Sequence, residues 1–142
     1  MQPMLFFLRR VVAGVTIVAA TACGSNFEPG FALTGRWGGR DLVADLTASG
    51  GTLDLSCGFG ELSGPLVPDN AGQVSADGYT IRVGGVALPP NTVPEHLPVH
   101  VSGQVNGDHL TLFVRVLGVF YVDTPPRYDL VRGAAGNVLR CP

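Results

Sequence analysis

A run of alternating apolar and polar residues on both sides of an Asn-Gly pair constrains the fold of this chain most. Residues 99–105 and 110–116 place valine, leucine or glycine at every second position, and Asn106-Gly107 lies between them. Asn-Gly is the strongest short hairpin signal, because a type I′ turn needs positive φ at both central residues. The pattern predicts an antiparallel hairpin that turns at Asn106-Gly107, with Val101 facing Leu112 and Val99 facing Val114.

The same period of two recurs along the chain, and no stretch shows helical apolar spacing over three turns. A Gly- and Pro-rich link is expected at 58–72, and loops are expected at 84–98 and 117–127. The four prolines within 84–98 exclude both a helix and a central strand there. Besides the hairpin, strands are predicted at 33–37, 41–47, 52–57, 73–83, 128–132 and 138–141. Residues 73–83 are expected as one bent strand or as two short ones, broken near Asp77-Gly78.

About eight short strands without helices predict an all-β protein. A sheet with one apolar face must bury that face against itself or against another sheet. Sequential antiparallel hairpins favour a single up-and-down β-barrel, which leaves no exposed edge. The prediction is one barrel domain over residues 32–142, with a β-sandwich as the alternative.

Residues 1–22 have the features of a secretory signal. Arg9 and Arg10 precede an apolar segment, 11–20, that is too short to span a bilayer, and small residues lead to Cys23. This end resembles bacterial lipoprotein signals. The resemblance implies cleavage before Cys23 and acylation of that residue, and Gly24 implies sorting to the outer membrane, facing the periplasm. Residues 23–31 would form a polar tether. The alternative is ordinary secretion into the periplasm with Cys23 as a free thiol.

Gly35-Arg36-Trp37 resembles the opening of lipocalin- and avidin-type (calycin) barrels. The resemblance implies that Trp37 closes one end of the barrel, with an arginine from the last strands, Arg132 or Arg140, over its ring. The mature part is also similar to small bacterial lipoproteins, and that similarity implies no activity.

The chain has three cysteines. Lipidation of Cys23 would leave Cys57 and Cys141 as a pair in an oxidising compartment, where disulfides persist. We therefore expect a Cys57–Cys141 disulfide, with Cys57 on the inward face of its strand.

The histidines do not form a metal-ligand pattern. Pro98 lies between His96 and His100, which excludes a helical pair. The expected hairpin register separates His100 from His109 by about 13 Å along the strands, too far to share one zinc ion. We expect no metal, no cofactor and no catalytic group of residues, and therefore no enzyme. The net charge of −2, more negative once Arg9 and Arg10 are removed, argues against nucleic acid as a partner.

Two functional interpretations are consistent with the sequence. In the first, the chain is a lipid-anchored envelope lipoprotein whose small barrel binds an apolar ligand. In the second, the barrel is packed, binds no small molecule, and serves as a structural or protein-interaction module of the envelope. The expected partners are the membrane, through lipid on Cys23, and either a small apolar ligand or an envelope protein. An interior cavity of roughly 300 Å³ or more would favour the ligand.

Overall fold

The structure, a computed structural model, describes residues 27–82, 91–118 and 124–140. Every strand pairs antiparallel with the next, and the last pairs with the first, so the sheet closes into a barrel in sequence order. The prediction of an all-β, up-and-down barrel is confirmed. The strands are β1 (Gly35–Gly39), β2 (Leu42–Thr47), β3 (Gly50–Leu55), β4 (Gly58–Leu62), β5 (Gln73–Arg82), β6 (Leu97–Asn106), β7 (His109–Val116) and β8 (Arg127–Arg132).

The two ends of the barrel differ in their connections. We call the end at which β1 begins the proximal end; it carries the turns at 48–49 and 107–108 and the connection 63–72. The distal end carries the two-residue turns at 40–41 and 56–57 and the longer connections after β5 and β7. Among the described residues, no helix is long and apolar enough to cross a bilayer.

Alternate residues of each strand point inward and form one apolar cluster. Eight strands enclose an interior just wide enough for side chains to fill. Burial of these side chains is the main favourable contribution to folding. The buried members are Leu33, Trp37, Leu42, Ala44, Leu46, Leu53, Leu62, Leu66, Val74, Val99, Val101, Val105, Leu110, Leu112, Val114 and Leu130.

The β6–β7 hairpin forms, but its expected register is wrong by two residues. Asn106 pairs with His109, so the turn is Gly107-Asp108, and Val101 faces Val114 rather than Leu112. Only Gly107 of the turn pair has positive φ, 59°. Glycine at the first central position is the pattern of a type II′ turn, which leaves the asparagine in the strand. A shift of two keeps every side chain on its expected face.

The segment expected as a link at 58–72 contains a strand that the alternation did not reveal. In β4 the inward positions include Gly58 and Gly60, so the apolar period of two is missing from the sequence. A methyl group at Gly60 would lie 3.2 Å from the Tyr79 carbonyl oxygen, a tight contact that glycine avoids. Of the two alternatives for the following strand, the structure has the single one, because β5 runs without interruption.

Cys57 does not lie on the inward face of a strand, as expected, but in the turn between β3 and β4. Leu55 pairs with Gly58, which leaves Ser56-Cys57 as a two-residue turn in which Cys57 has a φ of 62°. Cys57 is disulfide-bonded. Its predicted partner, Cys141, lies outside the described residues, so the pairing stays a prediction.

The final strand expected at 138–141 is not formed over residues 138–140. Both edges of β1 are already paired, by β2 and β8, and the chain instead reverses after β8 and crosses the outer wall of the barrel. We call residues 133–140 the strap. Asn137 donates its N–H to the Gly39 carbonyl at 2.9 Å and accepts from Asp41 N–H at 2.9 Å. The strap covers Val43, which is outward-facing yet only 4% exposed.

The segment expected to be a free tether is docked from Phe27 onward. Phe27 packs against the apolar cluster at the proximal end. Gly30 N–H donates to the Pro68 carbonyl at 2.9 Å, and Leu33 N–H donates to the Leu66 carbonyl at 2.8 Å. Leu33 was expected to begin the first strand; it lies before β1 and is buried.

The strap can lie this close only because residue 38 has no side chain. A methyl group at Gly38 would lie 2.2 Å from the Ala134 carbonyl oxygen and 2.5 Å from the Gly136 nitrogen, both backbone atoms. We expect Gly38→Ala to displace the strap and lower the free energy of unfolding by about 1–3 kcal/mol, as overpacking does. Urea unfolding of the mature protein measures this difference.

Gly64→Ala is the matched control, because nothing lies within 4 Å of a methyl group there. It should be neutral or stabilise by about 0.4–1 kcal/mol through the unfolded chain. Equal unfolding midpoints for the two variants would contradict the close approach of the strap.

Candidate functional site

Trp37 and Arg132 meet at the seam where β1 pairs with β8. The two residues are directly paired across the strands, so their side chains share the inward face. The Arg132 guanidinium carbon lies 4.5 Å from the centroid of the Trp37 ring, within cation–π range. Arg132 Nε lies 3.4 Å from Asp108 Oδ1, in the β6–β7 turn. The structure thus places Arg132 over the tryptophan and joins both to the proximal turn.

Trp37 is fully buried, and its indole N–H is the one buried side-chain polar atom without a partner in the described part of the chain. A buried donor without an acceptor costs roughly 1–3 kcal/mol. Burial of the large apolar ring in the cluster, and the contact of one ring face with Arg132, offset this cost. The geometry indicates that Trp37 is a closing group of the barrel wall.

Arg140, the other arginine proposed for Trp37, lies on the outer wall instead. Its two terminal nitrogens donate to the two carboxylate oxygens of Asp54, each at 2.9 Å. Leu139 N–H donates to Ser56 Oγ at 3.2 Å, beside the disulfide-bonded Cys57. Arg140 therefore fastens the end of the strap to β3, and it does not take part in closing the barrel end.

Two of the histidines, His96 and His100, contact a neighbouring side chain on the outer wall. His100 Nδ1 lies 2.7 Å from Asp77 Oδ1, and the two side chains are 45% and 77% exposed. The His96 ring stacks on Tyr79 with centroids 4.6 Å apart. Within residues 27–82, 91–118 and 124–140, no three His, Cys, Asp or Glu side chains form a group that could hold a metal ion.

Hydrogen bonds on the outer wall shift the pKa values of Tyr79 and Asp129. The Tyr79 hydroxyl donates to Glu61, and this hydrogen bond raises the pKa of Tyr79. Asp129 accepts from Arg127 and from Thr111, and these bonds lower the pKa of Asp129. Glu61, Arg127 and Asp129 are exposed, and Tyr79 and Thr111 are partly exposed, so these contacts have the character of solvated surface pairs.

The interior is less completely filled at the distal end. Leu55, Val116 and Tyr128 point inward near this end and pack against the cluster while remaining partly exposed. Burial, and then the charge of Asp41, raise the pKa of Tyr128. Tyr128 was not singled out from the sequence, although its alternation with Leu130 already placed it on the inward face.

A pocket of about 590 Å³ lies outside the barrel wall. It forms where the strap crosses the turn between β1 and β2, a place that a regular final strand would not have created. Asp41 in that turn has a φ of 66° and accepts a hydrogen bond from Ser56 Oγ at 3.0 Å. The lining residues are Gly39, Arg40, Asp41, Gly136, Asn137 and Leu139.

No protein-family model matches this chain, and no curated protein and no solved structure is significantly similar to it.

Removing the guanidinium at the seam tests its role in closing the barrel. We expect Arg132→Met to lower the free energy of unfolding by about 0.5–2 kcal/mol, because the methionine keeps the apolar stem and loses the cation. Trp37 is the only tryptophan, so its fluorescence reports both unfolding and the loss of the contact. Arg115→Met, on the exposed outer side of β7, should stay within about 0.5 kcal/mol of the wild type. An Arg132 variant as stable as the Arg115 variant would exclude this role.

Proposed function

We propose that the chain is a lipid-anchored lipoprotein of the bacterial cell envelope, held at the outer membrane through Cys23 and facing the periplasm. The support is the sequence of the leader, with its paired arginines, its short apolar segment and the small residues before Cys23. An acylated cysteine gives stable anchoring because each buried CH₂ contributes about 0.8 kcal/mol. In this proposal the barrel is a packed module that works through its outer surface.

The filled interior is the observation that carries the second half of the proposal. Most inward side chains from the proximal end to the middle of the barrel are buried, among them Leu53, Val101 and Leu112. The pocket of about 590 Å³ lies outside the wall, and barrel-interior side chains do not line it. A small-molecule site is ordinarily a concave pocket that encloses most of its ligand. A barrel filled with leucine and valine supports an interaction or structural role better than a carrier role.

A small apolar ligand is the second candidate, and one observation favours it. Three partly exposed inward side chains, Leu55, Val116 and Tyr128, lie near the distal end. A shallow apolar mouth there would take the end of an acyl chain or a ring, with the Tyr128 hydroxyl as a polar group. The two candidates differ in whether this mouth holds a ligand.

The anchor is tested at Cys23. We expect bacteria that express the wild type to incorporate a fatty-acid analogue into the protein, because Cys23 is the proposed site of acylation. Cys23→Ser should be unlabelled and should be found as uncleaved precursor or soluble protein. Cys57→Ser is the matched control and should label normally, because Cys57 is disulfide-bonded in the fold. Equal labelling of the Cys23 variant would exclude lipidation at this residue.

The mouth is tested by titration with a fluorescent fatty acid. A packed module predicts no saturable binding by the wild type. Saturable binding that is lost in Val116→Trp, which fills the mouth, and kept in Leu117→Trp would establish the ligand candidate instead. Leu117 is the matched control, because it follows directly on β7 and is 41% exposed.

A further inference from the structure

The chain is fixed to the proximal end of the barrel from Phe27 onward. Phe27 packs in the apolar cluster beside Gly72, and the hydrogen bonds of Gly30 and Leu33 join this segment to the connection 63–72. A group attached a few residues before Phe27 is therefore held near the proximal end of the barrel.

Cys23 precedes Phe27 by only four residues. A fully extended chain spans at most about 3.3–3.6 Å per residue, so no more than about 14 Å of chain separates the two positions. With the lipid of the proposed function on Cys23, the proximal end stays within this distance of the bilayer surface. The distal end, on the other side of the barrel, then points away from the membrane.

Two large apolar side chains are exposed near this attachment point. Phe31 is 64% exposed, and Val67 is 40% exposed. Backbone hydrogen bonds from Gly30 to Pro68 and from Leu33 to Leu66 join the two segments that carry these side chains. Phe31 follows Gly30, and Val67 lies between Leu66 and Pro68. Apolar and aromatic side chains beside a lipid anchor gain free energy by entering the interface of the bilayer.

Charge does not supply the attraction at this surface. The charged groups of the two segments are the acids Glu28 and Asp69. Asp108, in the neighbouring β6–β7 turn, forms an ion pair with Arg132 of β8. Acids are repelled by anionic headgroups, which attract basic residues instead. The contact that remains is apolar, through Phe31 and Val67.

We propose that the proximal end docks on the bilayer surface through Phe31 and Val67, so that the barrel stands on the membrane with its distal end toward the aqueous compartment. This inference rests on the proposed lipidation of Cys23. The lipid interface covers Phe31 and Val67, because the tether between Cys23 and Phe27 is too short to let these side chains move away from the bilayer.

Two tryptophan reporters test this orientation in the full lipidated protein. Phe31→Trp places a reporter at the proximal end, and Val93→Trp places the matched control in the distal connection, where Val93 is 81% exposed. Each protein is reconstituted into phosphatidylcholine vesicles with brominated acyl chains, which quench tryptophan on contact. The wild type supplies the baseline from the buried Trp37. We expect the added emission of Phe31→Trp to shift to shorter wavelength and to lose most of its intensity, and that of Val93→Trp to change little.

Equal quenching of the two reporters, or an unquenched reporter at position 31, would overturn the docking. Val67→Trp is a second proximal reporter, which keeps the test decisive if the first variant folds poorly. Flotation with the vesicles is measured first. Protein that carries no fatty acid and does not float contradicts the proposed lipidation, whereas protein that floats without quenching at residues 31 and 67 contradicts only the docking.

Discussion

The rest of the structure depends on the pairing of β1 with β8. This seam is short, with Trp37, Gly38 and Gly39 opposite Arg132, Val131 and Leu130. It converts an open meander with two free edges into a closed sheet, and closed sheets expose no unpaired backbone groups for aggregation. The stacked Trp37 and Arg132 lie at this seam, and the ion pair to Asp108 connects it to the neighbouring β6–β7 hairpin.

A second layer supports the seam from outside. The strap crosses over Gly38 and Val43 and ends on β3, where Arg140 forms a bidentate ion pair with Asp54. The pair is partly exposed, and exposed ion pairs contribute only about 0–1 kcal/mol. The backbone hydrogen bonds of Asn137 therefore matter more in holding this layer than the ion pair does.

The fold class could be predicted from the sequence because inward positions of most strands carry leucine or valine at a period of two. The elements that could not be predicted are those in which glycine or a turn removes that signal. Gly58 and Gly60 hid β4, and Gly78 suggested a break in a continuous strand, although glycine there only allows a close approach to the backbone of Glu61. The strap lacks a free edge with which to pair, because β2 and β8 already occupy both edges of β1.

The residues of the candidate site could likewise be predicted only in part. Trp37 and Arg132 could be associated from the sequence through a resemblance, because one position in each terminal strand of a barrel must meet at closure. The choice between Arg132 and Arg140 could not be made, since it depends on where the last strand ends. The docked segment before β1 was invisible to periodicity, because its contacts are one aromatic ring and two backbone hydrogen bonds.

A closed and filled barrel is the central claim of this account, and the function we propose depends on it. Hydrogen exchange of the mature protein, measured residue by residue by NMR, tests the claim most directly. Paired amides of β1 and β8 at the seam should exchange as slowly as those of β3 and β6, through global unfolding, because the seam opens only when the barrel does. Rapid exchange confined to 37–39 and 130–132, with slow exchange elsewhere, would mean that the sheet is open at the seam and would contradict the account.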